Sequence, residues 1–228
     1  MKKLKVGLVG AGGRMGKEIA QVLEQSTGCE LFYPLGRDQR VDEKKAAQVH
    51  VWIDFSSPAA LSDVLKMAAK HKTPVVCGTT GFSEKEKSLL TKYGKQIPLL
   101  WSSNMSLGVA VLNEAIKSLS AISHFDFQIE EIHHNRKKDR PSGTAITLQE
   151  NLEKAVGKKL PEPLAIRGGG VFGVHKVFAM SDEEVLTFEH TALNRTVFAK
   201  GAVLAAQWLS KQKPGQYQIR DVLFGKKA

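Results

Sequence analysis

The sequence KVGLVGAGGRMG, residues 5–16, is the most informative stretch for the architecture of this chain. Its first part, Lys5–Val9, is a short β-branched run that predicts a buried strand, and the glycines from Gly10 onward predict a tight turn. The following segment, Met15–Gln25, has the apolar spacing of an amphipathic helix. A strand, a glycine-rich turn and a helix in this order are typical of a loop that binds nucleotide phosphates.

The glycine spacing in this loop, G-x-G-G-x-x-G, is a variant of the dinucleotide-binding template. Gly10 permits a tight turn, Gly12 and Gly13 let the backbone approach a pyrophosphate, and Gly16 allows close packing of the helix on the strand. The template has glycine at its sixth position, where this chain has Met15 and carries the glycine one residue later. A plain turn is the alternative, and the strand–turn–helix context favours dinucleotide binding.

Predicted strands and helices alternate from this loop up to about Asn104. Short apolar strands separated by helices predict βαβ units and a parallel sheet. The four further strands expected in this part of the chain are Cys29–Leu35, Val49–Phe55, Pro74–Cys77 and Ile97–Trp101.

The pattern changes beyond Asn104. A long helix is expected over Leu107–Ile122, and several strand-like runs then follow with few intervening helices, which predicts an open mixed sheet. The fold class is therefore α/β, with an N-terminal Rossmann-like parallel sheet and a C-terminal α+β domain. We expect domains at 1–104 and 105–204, with the segment 205–228 returning to the first domain.

The composition is that of a globular protein with a basic surface. The chain has 228 residues, 42% of them hydrophobic, and a net charge of +10. It contains no apolar run of about 18 residues, so no membrane span is expected, and the N-terminus resembles a strand more than a signal peptide. We therefore expect a cytoplasmic protein. Cys29 and Cys77 lie in apolar runs, which predicts reduced core thiols, and no Cys or His spacing predicts a metal site.

The end of the second predicted strand bears on the choice of nucleotide. NAD-binding folds usually place a carboxylate there to bind the ribose hydroxyls, whereas this chain has Gly36 followed by Arg37. A guanidinium pairs with the 2′-phosphate of NADP, so NADPH is favoured over NADH. Asp38 leaves NADH open as an alternative. Two further loops, Gly78–Gly81 and Ser102–Met105, follow predicted strands at the sheet edge where ligands bind.

The segment EEIHHNRKKDRPSGT, residues 130–144, concentrates cationic side chains before a predicted helix. His133 and His134 can exchange protons near neutral pH. Ser142, Gly143 and Thr144 would place backbone N–H groups and hydroxyls at a helix N-terminus, where anions bind. This arrangement suits a substrate that carries a carboxylate. A solvated basic loop and a nucleic-acid patch are the alternatives.

The chain resembles the 4-hydroxy-tetrahydrodipicolinate reductase (dihydrodipicolinate reductase) family of the diaminopimelate–lysine pathway. The resemblance rests on E-x-H-H-x-x-K-x-D-x-P-S-G-T-A at 131–145, with GAGGRMG at 10–16, IDFSSP at 53–58, VCGTTGF at 76–82, SSNMSLGV at 102–109 and RGGGVFGVH at 167–175. It implies NAD(P)H-dependent reduction of a cyclic dicarboxylate in a homotetramer, with a dinucleotide-binding first domain and a second domain for substrate binding and oligomerisation.

The resemblance also implies roles for individual residues. It makes His133 the general acid/base and Lys137 its proton-donating partner. The dicarboxylate-binding residues would be His134, Ser142, Gly143 and Thr144. The cofactor contacts would be Gly10, Ala11, Gly12, Gly13, Arg14, Met15, Arg37, Gly78, Thr79, Thr80, Ser102, Ser103, Asn104 and Met105.

The chain departs from the family pattern at two places, and two other functions are alternatives to reductase activity. The family often has an acid where this chain has Gly36, and the segment before Arg167 is reduced to little more than Pro161–Ile166. A semialdehyde dehydrogenase would need a nucleophilic cysteine, and Cys77 immediately precedes the cofactor-like loop. An NADP-binding redox sensor that binds nucleic acid would not need the HH-x-x-K and PSGT elements together. The basic cluster is therefore expected to bind a small dicarboxylate rather than nucleic acid.

Overall fold

The computed structural model describes residues 3–37 and 39–225, which divide into two compact units. The first unit runs to Leu107 and resumes at Thr196, and the second unit is Gly108–Arg195. The chain thus returns to the first unit at Thr196, earlier than the expected 205. The physical reason is that the whole helix Thr196–Leu209 buries its small residues against the first unit.

The first unit is a six-stranded sheet in which every pairing is parallel, in the order β10-β5-β4-β3-β1-β2. Its strands are β1 (Leu4–Val9), β2 (Cys29–Leu35), β3 (Val51–Asp54), β4 (Val75–Cys77), β5 (Pro98–Trp101) and β10 (Gly215–Tyr217). Its helices are α1 (Arg14–Glu24), α2 (Glu43–Ala46), α3 (Leu61–Lys70), α4 (Glu84–Gly94), α7 (Thr196–Leu209) and α8 (Ile219–Phe224).

Burial explains why the central strands read as continuous apolar runs. β3 and β4 are buried at every position, as expected for parallel strands covered on both faces. Trp52 of β3 is fully buried and packs against Tyr33 of β2. The carboxyl ends of these strands carry the loops in which the sequence predicts cofactor contacts.

The second unit is a four-stranded mixed sheet in the order β7-β6-β8-β9. Its strands are β6 (Asp126–His133), β7 (Leu164–Arg167), β8 (Gly173–Met180) and β9 (Val185–Ala192), and its helices are α5 (Leu107–Ala115), a 3₁₀ segment (Ile116–Ile122) and α6 (Gly143–Val156). β7 runs parallel to β6, and the other pairings are antiparallel. The fold class predicted from the sequence is confirmed.

Only one face of the mixed sheet is covered by helices within this unit. Phe127 and Ile129 of β6 lie on the covered face and form a core with Leu148 and Leu152 of α6. The other face carries apolar side chains from all four strands. The members of this open apolar face are Ile132, Leu164, Ile166, Val174, Phe178, Met180 and Val185.

The structure differs from the sequence prediction at several element boundaries. The strand expected over Val49–Phe55 is shorter, and the helix expected over Leu107–Ile122 becomes 3₁₀ from Ile116. The shortened segment before Arg167 still forms β7. Among the described residues, no helix is both long and apolar enough to span a membrane.

Candidate active site

The glycine loop after β1 has the tight backbone that its sequence predicts. Gly10 has φ of +82°, and a Cβ there would lie 2.5 Å from the carbonyl oxygen of Phe55. A Cβ on Gly16 would lie 2.2 Å from the carbonyl oxygen of Gly10, so α1 packs directly on the loop. α1 begins after Gly13, which has no side chain to cap the first turn. Its N-terminal N–H groups form an environment that favours a phosphate.

A cavity of about 850 Å³ opens beside this loop. Its size is within the range of small-molecule and cofactor sites. The lining includes Gly10, Gly12 and Gly13, and Arg37 lies at the end of β2. The backbone N–H of Gly36 donates to the side chain of Gln39 at 2.8 Å. Asp38, on which the alternative of NADH depended, lies outside the described residues.

A buried carboxyl group joins two of the loops at this edge of the sheet. Asp54 ends β3, is fully buried, and accepts from Ser56 Oγ at 2.5 Å and from Thr79 Oγ1 at 3.3 Å. Burial raises the pKa of Asp54, which hydrogen bonds from Ser56 and Cys77 oppose. Sequence reasoning did not single out this residue. Its position at the end of a buried strand before two serines was the available signal.

The thiol of Cys77 is part of the same buried cluster. It donates to Asp54 Oδ2 at 3.4 Å, and burial together with the charge of Asp54 raises the pKa of the thiol well above its ordinary value. Cys29 is also buried, and burial raises its pKa. Neither environment generates a thiolate nucleophile, so the cysteine needed by a semialdehyde dehydrogenase is missing from both positions.

The loop after β5 is tied to its neighbours through the backbone and through its own side chains. Ser102 N–H donates to the carbonyl of Cys77 at 3.2 Å, and Ser102 Oγ donates to the carbonyl of Asn104 at 2.6 Å. Met105 is 2% exposed, so its side chain belongs to the core of this unit. Gly78, Thr79 and the loop after β5 therefore lie at one edge of the sheet, as the sequence predicts for ligand-binding loops.

His133, the general acid/base that the sequence predicts, lies at the end of β6. Glu131 and His133 share a face of the strand because side chains two residues apart point the same way. The parallel register brings Arg167 of β7 beside His133, and the antiparallel register brings His175 of β8 opposite Glu131. The fully buried Glu131 carboxylate pairs with His133 Nδ1 and accepts from Arg167 at 2.8 and 2.6 Å.

These contacts determine the protonation of the pair. Burial raises the pKa of Glu131, but hydrogen bonds from Arg167 and His133 outweigh it and leave that pKa below its ordinary value. An ionised carboxylate only accepts, so Nδ1 of neutral His133 carries the proton and Nε2 remains for exchange. Burial also lowers the pKa of His133, and Glu131 opposes this effect. Nε2 lies beside Gly173, where a Cβ would approach it to 3.0 Å.

Lys137 is a partly buried cation of the loop that follows His133. Its ammonium group is 2.8 Å from Asp139 Oδ2, and its charge contributes to lowering the pKa of His133. Arg136, Lys138 and Arg140 are exposed. The basic cluster thus separates into one lysine associated with the histidine and three solvated cations.

The turn into α6 has the geometry of an anion-binding site. Ser142 is 1% exposed, its N–H donates to Glu131 Oε1 at 3.1 Å, and its Oγ accepts from Ala145 N–H at 3.3 Å. Gly143 is exposed and has open space where a side chain would be. Thr144 is buried in the first turn of α6. The structure therefore brings His133, Lys137, Ser142 and Gly143 together in one site.

A second buried histidine completes the site. His175 is 3% exposed, its Nε2 lies 3.4 Å from Ser142 Oγ, and its ring centroid is 5.1 Å from that of His133. Burial lowers the pKa of His175 to about 3, so the ring is neutral at physiological pH. Sequence reasoning quoted Glu131, Arg167 and His175 within motifs but gave none of them a role. The separation of Glu131 and His133 by two residues on a strand was the signal for the first of them.

Comparison with known proteins identifies one family for both units, the family that the sequence motifs resemble. Family models described as dihydrodipicolinate reductase, N-terminus and C-terminus, match residues 4–105 and 108–223. The chain is 78% identical over 226 residues to the 4-hydroxy-tetrahydrodipicolinate reductase of Bdellovibrio bacteriovorus, covering 99% of each chain. It is 38% identical over 240 residues to the reductase of the same name from Campylobacter jejuni, covering 96% of this chain and 99% of the relative.

Solved structures share the fold at lower sequence identity. The dipicolinate-bound dihydrodipicolinate reductase from Paenisporosarcina sp. TG-14 superimposes with a TM-score of 0.80 at 17% identity, covering 97% of this chain and all of that one (100%). The DAP dehydrogenase of C. glutamicum, in complex with DAP, has a TM-score of 0.61 at 12% identity, and the superposition covers 97% of this chain and 94% of that one. Since the family models together match nearly the whole described chain, this protein belongs to the dihydrodipicolinate reductase family.

Proposed function

We propose that this protein reduces 4-hydroxy-tetrahydrodipicolinate to tetrahydrodipicolinate with a nicotinamide cofactor, in diaminopimelate and lysine biosynthesis. The observation that carries this proposal is the joint presence, in one unit, of a buried Glu131–His133 pair and an anion-binding turn at Ser142. Acid/base chemistry on a carboxylated ring requires a group that transfers the proton and a group that binds the carboxylate. The 78% identity to a reductase of this name supports the same substrate.

The first unit has the features needed to hold a pyridine nucleotide. The pyrophosphate would rest on the loop Gly10–Met15 at the start of α1, because a helix N-terminus with closely approachable glycines stabilises phosphate charge. The loops Gly78–Thr80 and Ser102–Met105 would bind the ribose and the carboxamide of the nicotinamide. When bound, the nicotinamide supplies the hydride. We infer a preference for NADPH, because Arg37 at the end of β2 would pair with the 2′-phosphate.

The second unit would bind the dicarboxylate. Its donor set already binds a carboxylate of this chain, since Asp139 pairs with Lys137 and also accepts from the backbone of Gly143. Burial raises the pKa of Asp139, but the hydrogen bonds from Lys137 outweigh it and hold the carboxyl ionised. A substrate carboxylate would use Gly143 and Thr144 of the same turn, with Ser142 and His134 beside them.

The proton would be delivered by His133 with Lys137 as its partner. With Nδ1 paired to Glu131, the ring places Nε2 next to Gly173. His133 protonated on both nitrogens would transfer the proton on its Nε2 to the substrate ring and become neutral, and the positive charge of Lys137 would stabilise negative charge that develops on the substrate. Because the first unit carries the glycine loop and the second carries the Glu131–His133 pair, we assign cofactor binding to the first unit and substrate binding to the second.

We further propose that the protein is a cytoplasmic homotetramer. The open apolar face of the second unit supports association, since Val185 is 63% and Leu164 is 55% exposed on the two edge strands. Exposed apolar side chains on a sheet face that the helices of the unit leave uncovered are typical of protein–protein interfaces. The second unit would then also be the oligomerisation domain.

The proposed function can be tested by NAD(P)H oxidation with the condensation product of pyruvate and aspartate semialdehyde. We expect turnover by the wild type. In both His133→Ala and Lys137→Ala, kcat should fall by about 10²-fold or more, the usual contribution of a general acid, while cofactor affinity is preserved. An inactive wild type would overturn the function, and full activity in both variants would overturn the site.

The cofactor preference can be tested separately with Arg37→Ala. Loss of the guanidinium should weaken NADPH more than NADH, because NADPH alone carries the 2′-phosphate. Dissociation constants for both nucleotides provide the comparison, with Arg40→Ala, a change at an exposed arginine nearby, as the matched control. Equal weakening of both nucleotides by Arg37→Ala would contradict the 2′-phosphate contact.

A further inference from the structure

One carboxylate joins the two halves of the proposed substrate site. Glu131 Oε2 pairs with Nδ1 of His133, and Oε1 accepts from the backbone N–H of Ser142 at 3.1 Å. Arg167 donates to both oxygens, at 2.8 and 2.6 Å. The proton-transfer group and the anion-binding turn are therefore oriented by the same side chain.

Arg167 also reaches the loop between those two groups. Its second terminal nitrogen donates to the carbonyl of Asp139 at 2.6 Å. The side chain of Arg167 is 9% exposed and that of Glu131 is 0% exposed. Geometry of this kind is bidentate and well shielded from solvent, so it orients groups more firmly than a surface ion pair does.

A purely structural role would explain less of this arrangement. A buried carboxylate needs compensation, and Arg167 alone provides both an opposite charge and two hydrogen bonds. The additional contacts to His133 and Ser142 are not needed to compensate the charge. In the proposed function, His133 transfers the proton and the turn at Ser142 binds the substrate carboxylate.

We propose that Glu131 is the positioning residue of this site, with Arg167 holding its carboxylate in place. Glu131 fixes His133 with its proton on Nδ1 and its Nε2 facing the substrate, and it keeps the turn at Ser142 in register with that nitrogen. The proposal rests on the proposed function, because it assigns the orientation of that reaction's proton donor.

The charge of Glu131 also has a chemical consequence. When His133 is protonated on both nitrogens, Nδ1–H remains bonded to Glu131 and Nε2–H is the proton that is transferred, which leaves a neutral ring. The other groups that face His133 are Lys137 on its loop, Arg167 on β7 and His175 on β8. The positive charges of Lys137 and Arg167 disfavour the imidazolium, whereas the ring of His175 is neutral. Among these neighbours, Glu131 is the group that favours the imidazolium.

The test is the isosteric variant Glu131→Gln, compared with Glu153→Gln. Glu153 also pairs with a cation of the second unit, Lys159 at 2.8 Å, but near the opposite end of α6 from Ser142. We expect Glu131→Gln to lower kcat by roughly 10- to 100-fold, as for residues that orient a functional histidine, with the cofactor KM unchanged. Glu153→Gln should retain wild-type kcat.

The pH profile separates positioning from simple structural support. Because the carboxylate favours protonated His133, its removal should move the basic limb of kcat/KM to lower pH. Glu131→Asp keeps the negative charge, so the basic limb of kcat/KM should lie at its wild-type pH while kcat recovers only in part. A wild-type kcat in Glu131→Gln, or a loss of kcat with an unmoved basic limb, would overturn the proposal.

A measurement on the wild type keeps the proposal testable if the variants do not fold. Nitrogen chemical shifts of the His133 ring, assigned with His133→Gln, report which nitrogen carries the proton. We expect the neutral ring to be protonated on Nδ1, and a ring protonated on Nε2 would overturn the proposal. The chemical shifts are measured without turnover. A ring protonated on Nε2 would therefore overturn only the positioning role of Glu131, whereas an inactive wild type would overturn the proposed function.

Discussion

The side chain of His175 shows how burial of a single residue couples the site to stability. It is enclosed between His133 and His190, with ring centroids 5.1 and 6.5 Å away. Burial and the neighbouring His133 lower the pKa of His175 to about 3, whereas the unfolded chain has an ordinary histidine. At pH values between about 3 and 6.5, His175 is protonated in the unfolded chain and neutral in the folded protein. The free energy of unfolding therefore decreases as the pH falls below about 6.5.

We therefore predict that His175→Asn reduces the pH dependence of unfolding. Between pH 6 and pH 4, His175 contributes a loss of about 1.4 kcal/mol per pH unit to the free energy of unfolding of the wild type. Urea denaturation at these pH values should show a shallower decline in the variant, whatever its stability at pH 7. His124→Asn, a change at an exposed histidine of the same unit, is the control. A decline as steep in His175→Asn as in the wild type would contradict this assignment.

At the scale of residues, the sequence predicted side chains that lie close together in the chain. His133, Lys137 and the turn at Ser142 belong to one continuous motif, so their proximity follows from local structure. The pairing of Glu131 with Arg167 spans 36 residues and depends on the parallel register of β6 and β7. No local pattern contains that register, because it arises only when the two strands meet in the sheet.

At the scale of elements, α1 and the loop that precedes it form one closely packed structure. The backbone of Gly16 in α1 touches the carbonyl of Gly10, whereas Gly12 in the loop has open space where a side chain would be. The two glycines therefore serve different purposes. Gly16 is required for packing of the unliganded protein, and Gly12 is available for approach of a ligand.

We predict opposite effects of alanine at these two positions. Gly16→Ala should destabilise the unliganded protein by about 1–3 kcal/mol, because the added methyl group overlaps the loop backbone. Gly12→Ala should leave unliganded stability nearly unchanged and weaken the cofactor. Thermal unfolding without nucleotide and nucleotide titration measure the two effects. Equal stability of the two unliganded variants would contradict the prediction, because it would mean that the loop moves away from α1 to make room for the methyl group.

The sequence predicted the helices and strands whose apolar periodicity is contained within the element itself. The helix at α1 and the strands β1 and β2 follow from their own spacing. β10 contains three residues, too few to show a pattern, and it becomes a strand by pairing with β5. The change from α-helix to 3₁₀ at Ile116 was likewise absent from the apolar spacing.

At the scale of the whole molecule, the open apolar face predicts self-association. Val185 and Ile166 are exposed on its two edge strands, at 63% and 45%. We expect the wild type to sediment as a tetramer, and Val185→Glu combined with Ile166→Glu to yield smaller species, because charge in an apolar interface is costly to bury. Val111→Glu, on α5 in the helical layer, is the control. A monomeric wild type, or a tetramer unaffected by the paired changes, would contradict this interface.

The reaction itself provides the most direct test of the proposed reductase activity. The measurement is the amount of tetrahydrodipicolinate formed for each nicotinamide oxidised, with wild-type protein, NADPH and freshly condensed pyruvate and aspartate semialdehyde. We expect equal amounts of product and oxidised cofactor with the wild type, and formation of both by His133→Ala at no more than about 1% of the wild-type rate. Oxidation of the cofactor without this product, or no oxidation by the wild type, would contradict the proposed activity.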